Sequence, residues 1–482
     1  MNLKKNAWII MLIILLLAIL LRFWAIESES YWLDEAISIR QAQADDFGST
    51  LDMVKKDIHL PLHITLLHFW VKIFGTSELA SRLLSLIFGV AGVWISYLLT
   101  KKLFNRRIAI ITSLLFAFSP IMIYYSQEAR LYSLFVFLSL LSFYFYIKFI
   151  ENMNNKNLLF YGLSTLLLIY THLFAFLVLL VQNVYILYKF KFQFKKLIKW
   201  FAGQFILFLL FLPWISNLFK QVSSTLNTDW IPKPNIGIVL LTILDFFGHI
   251  VIVLMFLICL IIIIRKKHKP MDKDKKMLLV LWILLPFAIV LFYSLIISSV
   301  YNTRYLLFTV PALLILFSVL IDKIAEKKKY LTYMLVGAII LFSFISIVNQ
   351  VNTTDKDDWR SVSSYIKENV EEEYIFINPF YHHDPFTYYF DEECFKDYYI
   401  HSCNYNNHNL LALKWDAICC NDSTGLTATD EKNTLGDYIN ETVWLISVKE
   451  KLYAVPLFDY FNENMNLTLS KKFGEIKISK FE

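Results

Sequence analysis

An acidic pair, Asp34 and Glu35, sits just past the first long apolar run in this chain. Residues 7–26 are long enough to cross a bilayer as a helix, for which roughly 20 apolar residues suffice. A carboxylate at the bilayer centre costs about 2.5–3.5 kcal/mol on insertion scales, whereas at the lip, where headgroups meet water, it stays ionised. There it can take a proton from a hydroxyl while lipid carries the other reactant. The competing reading is two solvated charges in a loop. Further along come Glu128 and Arg130, set between two apolar runs, then His172 after Tyr170-Thr171, and Arg304-Tyr305 after Tyr301. Ionisable groups at membrane depth usually pair, face a cavity and mark a functional path. The plainer alternative for Glu128 and Arg130 is an ion pair tying two helices together.

Gathered in one cavity, these groups suit displacement at a sugar carbon whose leaving group is a phosphate. One carboxylate would remove the proton of the attacking hydroxyl, worth about 10²–10⁴ in rate. Arg130 or Arg304 would neutralise the charge growing on the phosphate. His59 and His63, four apart, could fix a phosphate or hold a metal, but Pro61 between them argues against a regular helical pair. A divalent metal stays open, and no cofactor is specified. No Gly-rich phosphate loop, zincin motif or nucleotide-binding βαβ signature occurs, in keeping with a donor other than a soluble nucleotide sugar.

The elements that must position these residues follow from composition. The chain has 482 residues, 57% of them hydrophobic and 18% charged, against about 25% charged in soluble domains; this is a multispanning membrane protein. Eleven apolar segments qualify as spans: 7–26, 81–100, 108–124, 131–149, 158–171, 173–189, 198–219, 236–264, 277–299, 304–321 and 330–349. No small-x-small cleavage site follows the first, which reads as an anchor and not a removed signal peptide. Basic clusters lie between alternate spans (Lys101 to Arg107, Lys189 to Lys199, Arg265 to Lys276, Lys323 to Lys329). The positive-inside rule therefore puts the N-terminus in the cytoplasm, and an odd span number sends the C-terminal region outside. All the candidate residues then share the exterior face of a multi-pass plasma-membrane protein.

Charge divides the chain in two. Residues 350–482 carry 12 Lys and Arg against 23 Asp and Glu, net −11; residues 1–349 carry 34 against 17, net +17. The basic excess sits in short loops, where topology explains it, so nucleic acid is not the partner. We expect a transmembrane domain over 1–349 and an extracytoplasmic domain over 350–482, an α/β fold with strand-like runs at 374–377 and 443–446 and a helix from Trp359 to Asn369. Four of the five cysteines (Cys394, Cys403, Cys419, Cys420) fall in that tail and suit one or two disulfides in an exterior compartment. The four Asn-x-Ser/Thr sequons, at Asn352, Asn421, Asn440 and Asn466, are there too. The first exterior loop, 27–80, is too long for a connector; its apolar stretches, such as 47–56, predict helices lying on the membrane.

In order along the chain stand Trp32-Leu33-Asp34-Glu35-Ala36, His59-Leu60-Pro61-Leu62, the run 74–83 (FGTSELASRL), the run 124–133 (YYSQEARLYS), Tyr170-Thr171-His172, Arg304-Tyr305-Leu306 and Asp358-Trp359-Arg360. Together these motifs resemble the membrane glycosyltransferases of the GT-C superfamily. The resemblance is to the bacterial and archaeal branch related to protein O-mannosyltransferases and aminoarabinose transferases (glycosyltransferase family 39-like). It covers residues 1–370; the rest of the tail matches nothing nameable. It implies a GT-C-type fold of about 11 transmembrane helices and inverting transfer of a hexose such as mannose from a polyprenyl- or dolichyl-phosphate donor. The acceptor would be a hydroxyl on a protein, lipid or glycan at the outer face. By position, Asp34 would be the base and Glu35 its acidic partner, with His59, Glu128, Arg130, His172, Arg304 and Tyr305 around the donor phosphate. The family often has His-Pro-Pro-Leu where this chain has Leu60, which implies a change in loop stiffness without loss of function. A lipid-linked sugar flippase or transporter is the alternative, disfavoured because the halves show no repeat and the polar residues cluster at one lip. A sensor or scaffold working through its tail would leave the charged loops unexplained.

Overall fold

The computed structural model describes residues 7–191, 193–225, 231–265, 270–325, 329–353, 355–370, 373–396, 402–405, 408–411, 441–448 and 455–482. The chain divides into two compact units, Met1–Ile26 with Asp46–Thr353, and Glu27–Asp45 with Thr354–Glu482.

The first unit is helical. It comprises α1 (Ala7–Phe23), then, past the excursion into the second unit, α3 (Phe47–Lys56), α4 (Leu62–Phe74), α5 (Glu78–Leu103), α6 (Arg106–Ala117), α7 (Pro120–Tyr124), α8 (Tyr132–Glu151), α9 (Asn155–Ile169) and α10 (Ala175–Phe190). After these come α11 (Phe194–Thr225), α12 (Ile236–Phe247), α13 (Ile250–Arg265), α14 (Lys273–Ile296), a 3-10 stretch (Thr303–Thr309), α15 (Val310–Ile324) and α16 (Lys329–Asn352). Each of the eleven expected apolar segments is helical, but two are interrupted. Segment 108–124 breaks at Phe118-Ser119, ahead of Pro120, whose ring suits the first turn of a new helix. Segment 236–264 bends by 90° at Gly248, which has φ +75°; a Cβ there would lie 2.9 Å from Pro120 Cδ. By length and apolarity alone, six described helices can each cross a bilayer, and the bent pair makes a seventh. Shorter apolar helices (α1, α4, α10) accompany them.

Helix caps follow local sequence: Ser77 accepts from the Ala80 N–H, Asn105 from Ile108 and Asn235 from Ile238. In lipid, apolar side chains gain little by meeting one another, so association rests on close packing and buried polar links. Helix α8 is the hub, burying Phe135, Phe143, Tyr146 and Phe149; Phe143 stacks on Trp282 of α14, ring centroids 3.6 Å apart. A polar knot joins α8 to α11: Tyr161 Oη donates to Gln182 Oε1 (2.9 Å), Gln182 Nε2 to Ser142 Oγ (2.9 Å) and Trp200 Nε1 to Asn183 Oδ1 (2.8 Å).

The second unit carries a six-stranded mixed sheet among the described residues. Its strands are β1 (Tyr374–Asn378), β2 (Ser402–Tyr405), β3 (His408–Leu411), β4 (Val443–Val448), β5 (Leu467–Phe473) and β6 (Ile476–Phe481), ordered β2-β3-β1-β4-β6-β5. β1 runs parallel to both neighbours, while the outer pairings are antiparallel. Two-residue alternation serves two cores. Ile375 and Ile377 meet Trp359, Val362 and Ile366 of α17 (Trp359–Asn369); Phe376, Val443 and Leu445 meet Leu457 and Phe461 of α20 (Val455–Asn464). Helices α18 (His383–Phe390) and α19 (Glu392–Lys396) complete the unit, and α2 (Leu33–Ala42) packs on α18. Cys394 is disulfide-bonded; Cys403 lies on β2, and Cys419, Cys420 and the sequons at Asn421 and Asn440 lie outside the described residues.

Candidate functional site

The run 124–130 is a tight turn between α7 and α8, fastened from behind. Ser126 Oγ donates to Met122 O (2.5 Å) and accepts from the buried Arg22 guanidinium (3.2 Å), which also donates to Ala117 O (3.1 Å) at the end of α6. Gln127 Nε2 donates to the carbonyls of Arg22 (3.1 Å) and Trp24 (2.6 Å), and Ser85 Oγ to that of Arg130 (3.1 Å). The turn has little freedom. It leaves the side chains of Glu128 and Arg130 buried.

Arg130 and His59 meet, Nη2 to Nε2 at 2.9 Å. A guanidinium only donates, so His59 Nε2 accepts there, and Nδ1–H donates to Asp57 Oδ1 at 3.2 Å. Gln221 of α11 fixes the same loop, its Nε2 donating to the carbonyls of Val54 (3.2 Å) and His59 (3.1 Å). His59 precedes α4 and Pro61 caps it, so His59 and His63 do not share a helix.

His172 sits in the link between α9 and α10. Its Nδ1 accepts the Phe174 N–H at 3.0 Å and its ring stacks on Phe135, centroids 4.7 Å apart. Burial, then the electrostatic influence of His59, Arg304 and Arg130, pushes its pKa down to about 3. The imidazole is therefore neutral at physiological pH with its proton on Nε2, a donor. Tyr305 lies 5.3 Å from that ring, centroid to centroid, and the Arg304 guanidinium lies 5.7 Å from the Tyr132 ring and 5.6 Å from the Tyr305 ring, within cation–π range. Among the predicted residues of this unit, His59 thus meets Arg130, and Tyr305 meets both His172 and Arg304.

His59, His172, Tyr305 and Gln221 line a cavity of about 880 Å³, counting its open mouth. Its walls are otherwise mainly apolar, with Leu60, Leu131, Phe174, Leu218 and Val300, and with Ser298 and Ser299 to one side. A few polar groups set in an apolar pocket are what an amphipathic ligand needs. Among the described residues no cluster of three or more His, Cys, Asp or Glu is placed to hold a metal.

Asp34 and Glu35 belong to the other unit, in the first turn of α2, where carboxylates are favoured by the helix dipole. Asp34 is half-buried. Glu35 is fully buried, 0% exposed, and ion-paired with Lys356 at 2.9 Å. Glu35 is thus turned to the tail's own chain, a partner that sequence reasoning missed. Lys356 carried a faint signal as the lone cation in Asp355-Lys356-Asp357-Asp358, and Arg22 a clearer one as an arginine within an apolar run.

Residues 59–216 match the family model described as dolichyl-phosphate-mannose-protein mannosyltransferase. Among solved structures, that of ArnT from Cupriavidus metallidurans in the apo state is similar at a TM-score of 0.66 and 12% identity, covering 99% of this chain and 98% of that one. ArnT bound to undecaprenyl phosphate is similar at 0.63 and 11% identity, with 98% of each chain covered. The apo oligosaccharyltransferase of Archaeoglobus fulgidus reaches 0.56 at 12% identity, covering 93% of this chain and 70% of that one. No curated protein sequence matches.

Proposed function

We propose that the chain, whose fold is similar to that of ArnT, is a membrane glycosyltransferase of the GT-C type drawing on a lipid-phosphate-linked sugar. The donor is a polyprenyl- or dolichyl-phosphate hexose, mannose being the sugar named by the matching family model. The acceptor is a hydroxyl on a protein, lipid or glycan at the exterior face, with the N-terminus cytoplasmic. The acceptor oxygen bonds to the anomeric carbon as the bond from that carbon to the phosphate oxygen breaks, inverting the centre. Asp34 takes the hydroxyl proton, and the lipid phosphate departs with the bonding pair. Neutral His172, donating from Nε2, and Arg130, oriented by His59, stabilise the charge arriving on the phosphate. Arg304, set against Tyr132 and Tyr305, adds positive potential, and Glu128 keeps Arg130 and its surroundings in balance. Glu35 accompanies Asp34 as its acidic neighbour on α2.

The observation that carries this reading is the apolar cavity with polar groups from His59, His172 and Tyr305 along its wall. A lipid tail fits such walls and a phosphate the donors of His172 and Tyr305, and a structure of the same fold is of ArnT bound to undecaprenyl phosphate. The test uses membranes containing the full chain and undecaprenyl-phosphate-linked labelled mannose. Consumption of the donor and label entering protein, lipid and glycan fractions are followed together. Wild type should consume donor, and Asp34→Asn should cut turnover at least 100-fold with the chain still inserted. Unimpaired transfer by Asp34→Asn would remove the base from this mechanism.

A further inference from the structure

The segment bearing Asp34 is held by a partner more than 320 residues away in sequence. Helix α2 has ten residues and no side-chain cap, since Trp32 at its N-terminal boundary makes none. Helices this short are marginal by themselves in water, so tertiary contacts place it. Within the second unit those contacts form a continuous series. Glu29 accepts the backbone N–H groups of Asp355 (2.6 Å) and Lys356 (3.2 Å). Ser30 Oγ donates to Asp357 O (2.6 Å) and accepts the Trp359 N–H (3.2 Å). The Tyr31 N–H donates to Tyr389 Oη (2.7 Å), and its ring packs edge-on against Tyr388. Arg40, at the far end of α2, pairs with Asp384. Between these anchors sits the Glu35–Lys356 pair, its two side chains 0% and 6% exposed.

We propose that Lys356 is a positioning residue for catalysis: through its buried bond to Glu35, one residue from Asp34, the C-terminal domain sets where the base stands. Displacing either partner of a buried charge pair is costly, because it leaves an uncompensated buried charge. An ångström of error in a reacting group can cost about 100-fold in rate. The tail is thus a working part of the enzyme and not an appendage, and the reading rests on Asp34 being the base.

The test uses the full chain in nanodiscs, Lys356→Met, Lys356→Arg and Asp34→Asn, with two readouts: mannose transfer from the undecaprenyl-phosphate donor, and hydrogen exchange of peptides spanning 33–42, 374–378 and 443–448. Lys356→Met should lower kcat at least tenfold with KM for the donor changed less than twofold. Exchange over 33–42 should quicken about tenfold while both strand peptides keep their protection. Lys356→Arg, which keeps the charge, should restore kcat to within threefold. Unchanged exchange over 33–42 in Lys356→Met overturns the proposal, as does loss of protection in the strands too, which would make Lys356 a stability residue only. If Asp34→Asn is fully active, the base reading falls, and exchange still decides whether Lys356 holds α2.

Discussion

Gly89 on α5 is where the fastening of the 124–130 turn can be probed with one methyl group. A Cβ built there would lie 2.9 Å from Ser126 Cβ and 3.0 Å from Arg22 Nε, and closer still to Ser126 Oγ. Carbon pairs rest at about 3.5–4.0 Å, so Gly89→Ala enters well inside contact. Ser126 cannot step aside cheaply, because its hydroxyl serves Met122 O, Arg22 Nε and Ser133 Oγ at once. Overpacking costs about 1–3 kcal/mol. Dislodging a hydrogen bond from a buried guanidinium adds about 1.5–3 kcal/mol, giving about 2.5–6 kcal/mol in all. Unfolding in an SDS titration should show that loss, and turnover should fall at least tenfold as Glu128 and Arg130 shift. The double variant Gly89→Ala with Ser126→Gly removes the two obstructing Ser126 atoms and should recover about half of the stability, not all, because Arg22 still lacks its hydroxyl partner and its Nε stays close to the new methyl group. Gly89→Ala with wild-type stability, or a double variant no better than the single, would refute the close-packed clasp.

His172→Phe should keep the stack on Phe135 but strand the Phe174 N–H, at about 1–3 kcal/mol, and should lower kcat about tenfold, read from donor titrations, because the charge arriving on the phosphate loses a donor. With a pKa near 3, His172 stays neutral from pH 8 to pH 5; the His172→Phe profile should therefore keep the wild-type shape over that range, and a changed shape would mean that His172 titrates there. In the tail, burial lowers His382 to about 4 against an ordinary value of 6.5. The unfolded chain binds that proton first, so the stability His382 contributes is complete above pH 6.5 and drains away as pH falls toward 4. By pH 5 about 2 kcal/mol should be gone. Exchange of the 443–448 peptide in the full chain should track this, and His382→Gln should flatten it.

The spans were legible because an apolar run of sufficient length has few other uses, and α3 and α17 because their polar and apolar residues alternate at the helical period. The interruptions were not. Ser119-Pro120 and Gly248-His249 lie inside runs whose average apolarity stays high, and only the packing of Pro120 against Gly248 shows that the two breaks meet. In the tail, β1 and β4 announced themselves as buried apolar runs, whereas β5 (LTLSKKF) is a largely exposed edge strand that no apolar pattern marks.

Charges show the same asymmetry between what stands out locally and what depends on the fold. His59, Glu128, Arg130, His172 and Arg304 could be picked from the sequence because a charge or imidazole beside apolar runs is conspicuous. Their partners are ordinary by sequence. Gln221 is one amide near the end of a long helix, yet it fixes the His59 carbonyl; Lys356 is one lysine among aspartates, yet it takes the buried Glu35 carboxylate. A pairing like that depends on two segments being brought together, and no local pattern encodes the meeting. It follows that conspicuous residues mark where chemistry can occur, while inconspicuous ones decide whether the conspicuous groups are held closely enough to perform it. Exchanging an inconspicuous partner should therefore move kcat more than it moves binding, which is the signature expected of Lys356.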